Sequence, residues 1–139
     1  MPPDAAPEYA CAIIAEPNGR RLLQLRPVDA RHAPSQLTCF GGARESWESA
    51  ETCLERELHE ELGWRPSHLQ TACDLRQGIR LIARFFHCRM ASETVLRTEP
   101  GHVALWVPTT ALPGLPLSPW HRAVLDAVDQ GRTVVELPE

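Results

Sequence analysis

The stretch that decides the fold runs from Gly41 to Trp64 and reads GGARESWESAETCLERELHEELGW. It follows a short apolar run, Leu37–Phe40, whose composition favours a β-strand. Two consecutive glycines allow the backbone to turn and to approach a neighbouring segment closely. Seven of the chain's 18 acidic residues fall between Glu45 and Glu61. The acid is therefore concentrated in one segment and not spread evenly over a surface.

The segment from Ser49 to Leu62 is predicted to be a helix. It contains no Gly or Pro, and Ala, Leu, Glu and Arg dominate it. Ser46 or Ser49 can cap its N-terminus. Gly63 stands where a residue in the left-handed conformation commonly ends a helix.

Three glutamates share one side of this predicted helix. Glu57, Glu60 and Glu61 fall within an arc of roughly 100°, and this arc adjoins an apolar stripe that consists of Ala50, Cys53, Leu54, Leu58 and Leu62. Clustered carboxylates repel one another unless they are neutralised, and they are hard oxygen ligands suited to Mg²⁺ or Mn²⁺. A solvated acidic face is the alternative, and we assign Glu51, Glu55 and His59 to such a face.

The spacing of these residues resembles a known family motif. Gly42 is followed after five residues by Glu48, and after seven more by the run Arg56-Glu57-Leu58-His59-Glu60-Glu61-Leu62-Gly63-Trp64. This resembles the Nudix box, Gly-x5-Glu-x7-Arg-Glu-U-x-Glu-Glu-x-Gly-U, where U is a bulky apolar residue. Every fixed polar and glycine position of that pattern is matched.

The resemblance implies a fold, an activity and a metal. The fold is an α/β/α sandwich with a mixed β-sheet between helices. The activity is hydrolysis of a nucleoside diphosphate linked to another group, with Mg²⁺, or Mn²⁺ as a substitute. By carry-over, Glu57, Glu60 and Glu61 hold the metal, and the Gly41 carbonyl is a further candidate ligand.

Other residues receive supporting roles from the same resemblance. Arg56 and Glu48 brace the helix and the loop before it, and Gly42 and Gly63 complete the motif. The general base differs within the family. Glu57 is our first candidate inside the motif, and Glu99, on a later loop, is the candidate outside it.

Trp47 is the main departure from the family pattern. Relatives commonly read Glu-x-Gly-Glu where this chain has Glu45-Ser46-Trp47-Glu48. The indole either projects towards the substrate and stacks on a base, or packs on the helix that follows. Trp64, at the last apolar position, is bulkier than the usual Ile, Leu or Val.

The rest of the chain indicates one α/β domain over residues 1–139, with residues 1–7 as a loose N-terminal tail. Strand-like runs alternate with turn signals and are followed by a second helix. The predicted strands are 9–15, 21–26, 37–40, 69–75, 79–90 and 102–107, the second helix is 118–130, and 132–137 is a final strand or an extended tail.

All 14 basic residues are arginines, so any cationic side chain that binds phosphate must be an arginine. Arg26, at the end of the second strand, is a candidate, with a solvent-facing strand end as the alternative. Arg80 and Arg84 could meet the acidic helix or a substrate phosphate, or could lie on a solvated sheet face.

Composition narrows the class of protein. The net charge is −4 and no basic run suggests nucleic-acid binding. No apolar run is long enough to span a membrane, and no secretory segment is evident. The five cysteines are odd in number and lack a Cys-x-x-Cys pair, which indicates buried free thiols and a cytoplasmic protein.

The sequence leaves the substrate open among nucleoside triphosphates of the MutT kind, nucleotide sugars and ADP-ribose. A non-catalytic sensor of a nucleotide metabolite, or an interaction domain, is the alternative function. Such domains often lose the carboxylates of the motif, which are all present here. Homodimers are common among relatives, but nothing in the sequence assigns an oligomeric state.

Overall fold

A computed structural model describes residues 6–139, and a mixed eight-stranded sheet forms its centre. The strands are β1 (Tyr9–Ala15), β2 (Arg21–Leu25), β3 (Leu37–Thr38), β4 (Phe40–Ala43), β5 (Gln70–Gln77), β6 (Arg80–Arg89), β7 (Val103–Val107) and β8 (Val134–Leu137). The helices are α1 (Ala50–Leu62) and α2 (Pro119–Asp129), with a 3-10 helix at Thr109–Gly114. The first five residues, which belong to the predicted tail, lie outside the described part; Pro7 is buried.

The sheet has a central path in the order β3-β2-β1-β6-β5-β8, while β4 pairs with β1 and β7 pairs with β2. The β1–β6 and β5–β8 pairs are parallel and the other named strand pairs are antiparallel. The mixed sheet predicted from the sequence is thus confirmed. The segment left open as a strand or a tail forms the edge strand β8.

Each helix buries its apolar side on a different apolar cluster, because β1 is buried on both of its faces. One cluster joins Ile14 and Phe86 to Leu54, Leu58 and Leu62 of α1. The other cluster combines sheet residues with α2 residues, among them Ile13, Leu23, Phe85, Val124 and Leu125. The predicted α/β/α sandwich follows from these two contacts.

The ends of α1 are those that its sequence indicates. Ser49, and not Ser46, is the N-cap, and its hydroxyl accepts a hydrogen bond from the Thr52 amide at 3.0 Å. Gly63 adopts φ 63° and its amide donates to the His59 carbonyl at 2.9 Å. Both caps satisfy backbone groups that the helix itself leaves without partners.

The strand predicted at 37–40 is divided, which corrects the sequence analysis. Leu37–Thr38 pairs with β2, the chain shifts at Cys39, and Phe40–Ala43 pairs with β1. The two glycines are therefore part of a strand and do not form a turn after it. A single run of β-prone residues could not show that its two halves choose different neighbours.

All five cysteines are free and buried, as predicted. Burial raises the pKa of the Cys39 and Cys88 thiols to about 12, so these groups stay protonated. Within residues 6–139, neither helix combines the length and the apolar character that a membrane span requires.

Candidate active site

Strand β4 and helix α1 meet at the two glycines, where carboxylates lie directly on the strand backbone. Glu61 Oε1 accepts a hydrogen bond from the Gly41 amide at 3.1 Å. A Cβ atom on Gly42 would come within 2.4 Å of the Glu57 carboxyl carbon. On Gly41, whose φ is +150°, a Cβ atom would come within 2.2 Å of the Ala10 carbonyl oxygen. Only glycines therefore allow β4 to lie this close to the Glu57 side chain and to the backbone of β1.

Arg56 holds the acidic residues on both sides of it. Its Nε and Nη2 atoms bind the two oxygens of Glu48 at 2.7 and 2.8 Å, a bidentate ion pair. Its Nη1 atom contacts Glu57 at 3.0 Å and Glu60 at 3.5 Å. Glu48 is buried and also accepts the Glu45 amide at 2.9 Å. These hydrogen bonds, chiefly those from Arg56, lower the pKa of the Glu48 carboxyl to about 2.

The two glutamates nearest the glycines carry the opposite shift. Burial, and then the neighbouring Glu57, raises the pKa of Glu61 to about 8. Burial also raises the pKa of Glu57, although Arg56 opposes the effect. Burial therefore favours the neutral form of these two carboxyl groups, and a bound cation would offset the cost of ionising them.

A small cavity of about 190 Å³ opens beside these carboxylates. Glu57, Glu60 and Glu61 line it, together with Glu99 and His102. The loop that carries Glu99 is attached to α1, because the Arg97 amide donates to the Leu62 carbonyl at 2.9 Å. The structure thus brings the sequence candidate Glu99 to the three glutamates.

His102 was not predicted, and its contact with Glu99 is long, 3.9 Å between Nε2 and Oε2. Its position beside the carboxylates follows from the anchored loop before β7. Among residues 6–139, no three His, Cys, Asp or Glu side chains already converge as a metal site. The glutamates are close neighbours but are not arranged as a finished ligand set.

A larger cavity of about 370 Å³ adjoins the glycine strand, and Gln24 lines both cavities. Its volume is within the range typical of small-molecule sites, roughly 300–1,000 Å³. Its lining combines aromatic and polar residues, among them Tyr9, Trp120, Arg26, Thr38 and His121. Apart from Arg26 and the glycines, the sequence analysis did not find these residues, because they come from separate segments and match no motif.

Three other sequence candidates lie elsewhere. Trp47 is 73% exposed and lines neither cavity. Arg80 forms an ion pair with Glu8 at 2.9 Å, and Arg84 forms one with Asp74 at 2.8 Å. Neither arginine lines either cavity described here within residues 6–139. Arg26 lines the larger cavity, and its Nε donates to the His32 carbonyl at 3.1 Å.

Comparison with known families agrees with this geometry. The model of the NUDIX domain matches residues 6–128, most of the chain. The chain therefore belongs to the Nudix family. This is the family whose motif the glycines of β4, Arg56 and the glutamates of α1 resemble in sequence. A search of curated proteins gave no match.

Solved structures of MutT-like proteins share the fold. A MutT protein from Methanosarcina mazei Go1 is 20% identical and superposes with a TM-score of 0.76, covering 91% of this chain and 96% of its own. A MutT NUDIX hydrolase from Burkholderia pseudomallei is 25% identical, with a TM-score of 0.69 and coverage of 85% and 94%. The NUDIX domain of Shewanella oneidensis NrtR, solved with ADP ribose, is 17% identical, with a TM-score of 0.68 and coverage of 91% and 86%.

Proposed function

We propose that this protein is a divalent-metal-dependent hydrolase that cleaves the pyrophosphate linkage of a nucleoside diphosphate derivative. One observation carries the proposal. The braced glutamates of α1 line one cavity together with Glu99, and Gln24 joins that cavity to a second one large enough for a nucleoside. A phosphate chain placed beside the glutamates could therefore have its nucleoside in the larger cavity.

The donor set fits Mg²⁺, with Mn²⁺ as a substitute. Glu57, Glu60 and Glu61 supply carboxylate oxygens, and the Gly41 carbonyl is a further candidate ligand. The raised pKa values of Glu57 and Glu61 indicate a site where a cation would relieve unfavourable charge. When bound, such a metal neutralises phosphate charge and acidifies a water molecule.

The chain's own residues supply orientation and proton transfer. Arg56 keeps Glu57 and Glu60 on the cavity side of α1 through its contacts with both. Glu57 or Glu99 accepts the proton of the attacking water, since both line the cavity beside the phosphate position. The Glu57 side chain is only 17% exposed, whereas that of Glu99 is 60% exposed and can move towards a substrate.

The proposed substrate class rests on the larger cavity and on the MutT and ADP-ribose-bound proteins that share the fold. Both nucleoside triphosphates and ADP-ribose-type compounds join a base to a phosphate chain, and either suits two adjoining cavities. We propose a cytoplasmic protein that acts on a small nucleotide, with neither nucleic acid nor membrane as its partner. A homodimer is compatible with this function and is not required by it.

The test is release of phosphate and pyrophosphate with Mg²⁺ or Mn²⁺ over nucleoside triphosphates, nucleotide sugars, ADP-ribose and dinucleoside polyphosphates. We expect metal-dependent turnover that Glu57→Gln abolishes. Glu55→Gln, at an exposed position of the same helix, is the matched control and should retain activity. Absence of turnover together with tight binding of one compound would replace the hydrolase by a metabolite sensor. That alternative is consistent with the NUDIX domain of NrtR, which was solved with ADP ribose bound.

A further inference from the structure

His121 lines the larger cavity, and its ring carries a hydrogen-bond donor of fixed position. The Cys39 amide donates to its Nδ1 atom at 3.1 Å. Since Nδ1 is the acceptor, the proton of the neutral ring must be on Nε2. The ring also packs edge-on against Phe85, with centroids 5.4 Å apart and planes at 77°. His121 therefore cannot exchange its donor for an acceptor without losing the bond to Cys39.

The same ring is kept neutral by its surroundings. Burial, and then the charge of Arg26, lowers the pKa of His121 to about 4. At neutral pH the cavity thus presents an N–H group without a formal charge. Such a group can donate a hydrogen bond to a neutral acceptor without adding a charge to the cavity.

Thr38 adds a second, independent observation. It lines the same cavity, it is only 5% exposed, and it precedes Cys39 directly. Its Oγ1 atom is the one buried side-chain oxygen or nitrogen without a hydrogen-bond partner among residues 6–139. A buried hydroxyl without a partner destabilises the fold, and rotation of the Thr38 side chain towards a ligand in the cavity would remove that cost.

We propose that His121 and Thr38 select the base of the nucleotide by donating hydrogen bonds to an oxo group on its ring. This inference rests on the proposed function, because it assumes that the base occupies the larger cavity. A carbonyl oxygen has two lone pairs and can accept from the His121 Nε2–H and the Thr38 hydroxyl together. A ring nitrogen offers one lone pair, and an amino group would place its own N–H groups against a donor.

The position of Gln24 links this selection to the chemistry. Gln24 pairs in register with Thr38 across β2 and β3, and it lines both cavities. Its side chain points towards the Cys39 carbonyl, 3.5 Å away. A base held at Thr38 and His121 would therefore lie next to Gln24, the residue that also lines the cavity of the glutamates.

The test compares inosine 5′-triphosphate with purine riboside 5′-triphosphate, which lacks the oxo group at position 6 and the adjoining N–H. Steady-state kinetics of the wild type, and binding to the Glu57→Gln protein, should both favour inosine by about ten-fold or more. His121→Asn is the sharpest variant, because its side-chain oxygen can still accept the Cys39 amide but no group remains at the position of Nε2. It should reduce the preference to within about two-fold, mainly through KM.

Thr38→Val separates a role in binding from a role in folding. It replaces a hydroxyl without a partner by a methyl group, so the midpoint of thermal unfolding should stay the same or rise while the inosine preference falls. Thr71→Val, at an exposed position of β5, is the control and should change neither quantity. A fall in stability without a change of preference would overturn the role of Thr38.

The result also distinguishes the two proposals. If inosine triphosphate is hydrolysed but the preference is absent or unchanged in His121→Asn, base selection by His121 is wrong and the hydrolase stands. If no compound of the wider panel is hydrolysed, the hydrolase is wrong. Binding of the two purine nucleotides to the Glu57→Gln protein then decides whether the pocket still selects an oxo group.

Discussion

The two cavities differ in charge and in origin. The smaller one is lined by four glutamates, three of which come from a single helix. The larger one carries no carboxylate among the residues that the structure describes, and its aromatic and polar groups, with the cationic Arg26, are contributed by separate strands, a loop and the start of α2. Metal and phosphate chemistry needs a fixed spacing of like side chains, and a local helix can supply it. A pocket that recognises a base needs groups that surround it, and these are far apart in sequence.

The largest expected effect is a loss of activity from a change in the smaller cavity that leaves the order of preferred nucleotides unchanged. Glu57→Gln should lower kcat/KM by about a thousand-fold, because a carboxylate that holds the metal or takes the proton is lost. The loss should be similar for every nucleotide that the wild type cleaves, since the larger cavity is unchanged. Kinetics over the substrate panel would measure it, with Glu55→Gln as the control. A loss confined to some bases would contradict the separation.

The second largest effect is expected from the loss of Arg56, which binds Glu48, Glu57 and Glu60. Arg56→Ala removes the bidentate partner of the buried Glu48 and releases Glu57 and Glu60. We expect kcat/KM to fall by about a hundred-fold, because the carboxylates lose their positions, together with a lower unfolding midpoint. Arg56→Lys should lie between, since an ammonium group cannot make the bidentate contact. Arg65→Ala, at an exposed position after α1, should behave as wild type in both assays.

A third prediction concerns pH and metal removal. The pKa of Glu61 is raised to about 8 in the folded protein. The folded state therefore binds this proton more tightly than the unfolded state, and the free energy of unfolding falls as the pH rises from about 4.5 to 8. In EDTA, Glu61→Gln should therefore be more stable than wild type at pH 9, by up to roughly 5 kcal/mol, and similar to it near pH 4. Denaturant unfolding at the two pH values measures the difference.

Added Mg²⁺ provides the complementary arm of that experiment. It should stabilise the wild type at pH 9 more than the Glu61→Gln protein, because the cation offsets the charge that only the wild type carries. Equal stabilisation of both proteins would argue against Glu61 as a metal ligand.

The smallest effects compare two tryptophans. Trp120 lines the larger cavity and Trp47 lines neither. Trp120→Ala should raise KM by about five- to ten-fold through lost contact with the base, whereas Trp47→Ala should change KM by less than two-fold. A large effect at Trp47 would restore the idea that this indole stacks on the substrate.

The sequence predicted one half of this molecule much better than the other. Helix α1, its Gly63 cap and the motif along it depend on local spacing and could be predicted residue by residue. The shift at Cys39 could not, because it depends on which strands Leu37–Thr38 and Phe40–Ala43 pair with. His121 and Thr38 are brought together by a contact between residues 82 positions apart, Cys39 and His121.

The arginines illustrate the same limit. Their charge suggested phosphate binding, but Arg80 and Arg84 are engaged with Glu8 and Asp74. Arg84 and Asp74 are register partners across β5 and β6, which only the strand pairing reveals.

The hydrogen bond from the Gly41 amide to Glu61 gives the protein a built-in spectroscopic reporter. The amide belongs to the backbone of β4, whereas its acceptor is one of the proposed metal ligands. A cation that draws the Glu61 carboxylate away would leave that amide without its acceptor, and its proton would exchange with solvent faster. Glycine amide resonances are readily distinguished in nitrogen-15 spectra. The occupancy of the site could thus be followed at a single backbone position, without a label on the nucleotide and without turnover.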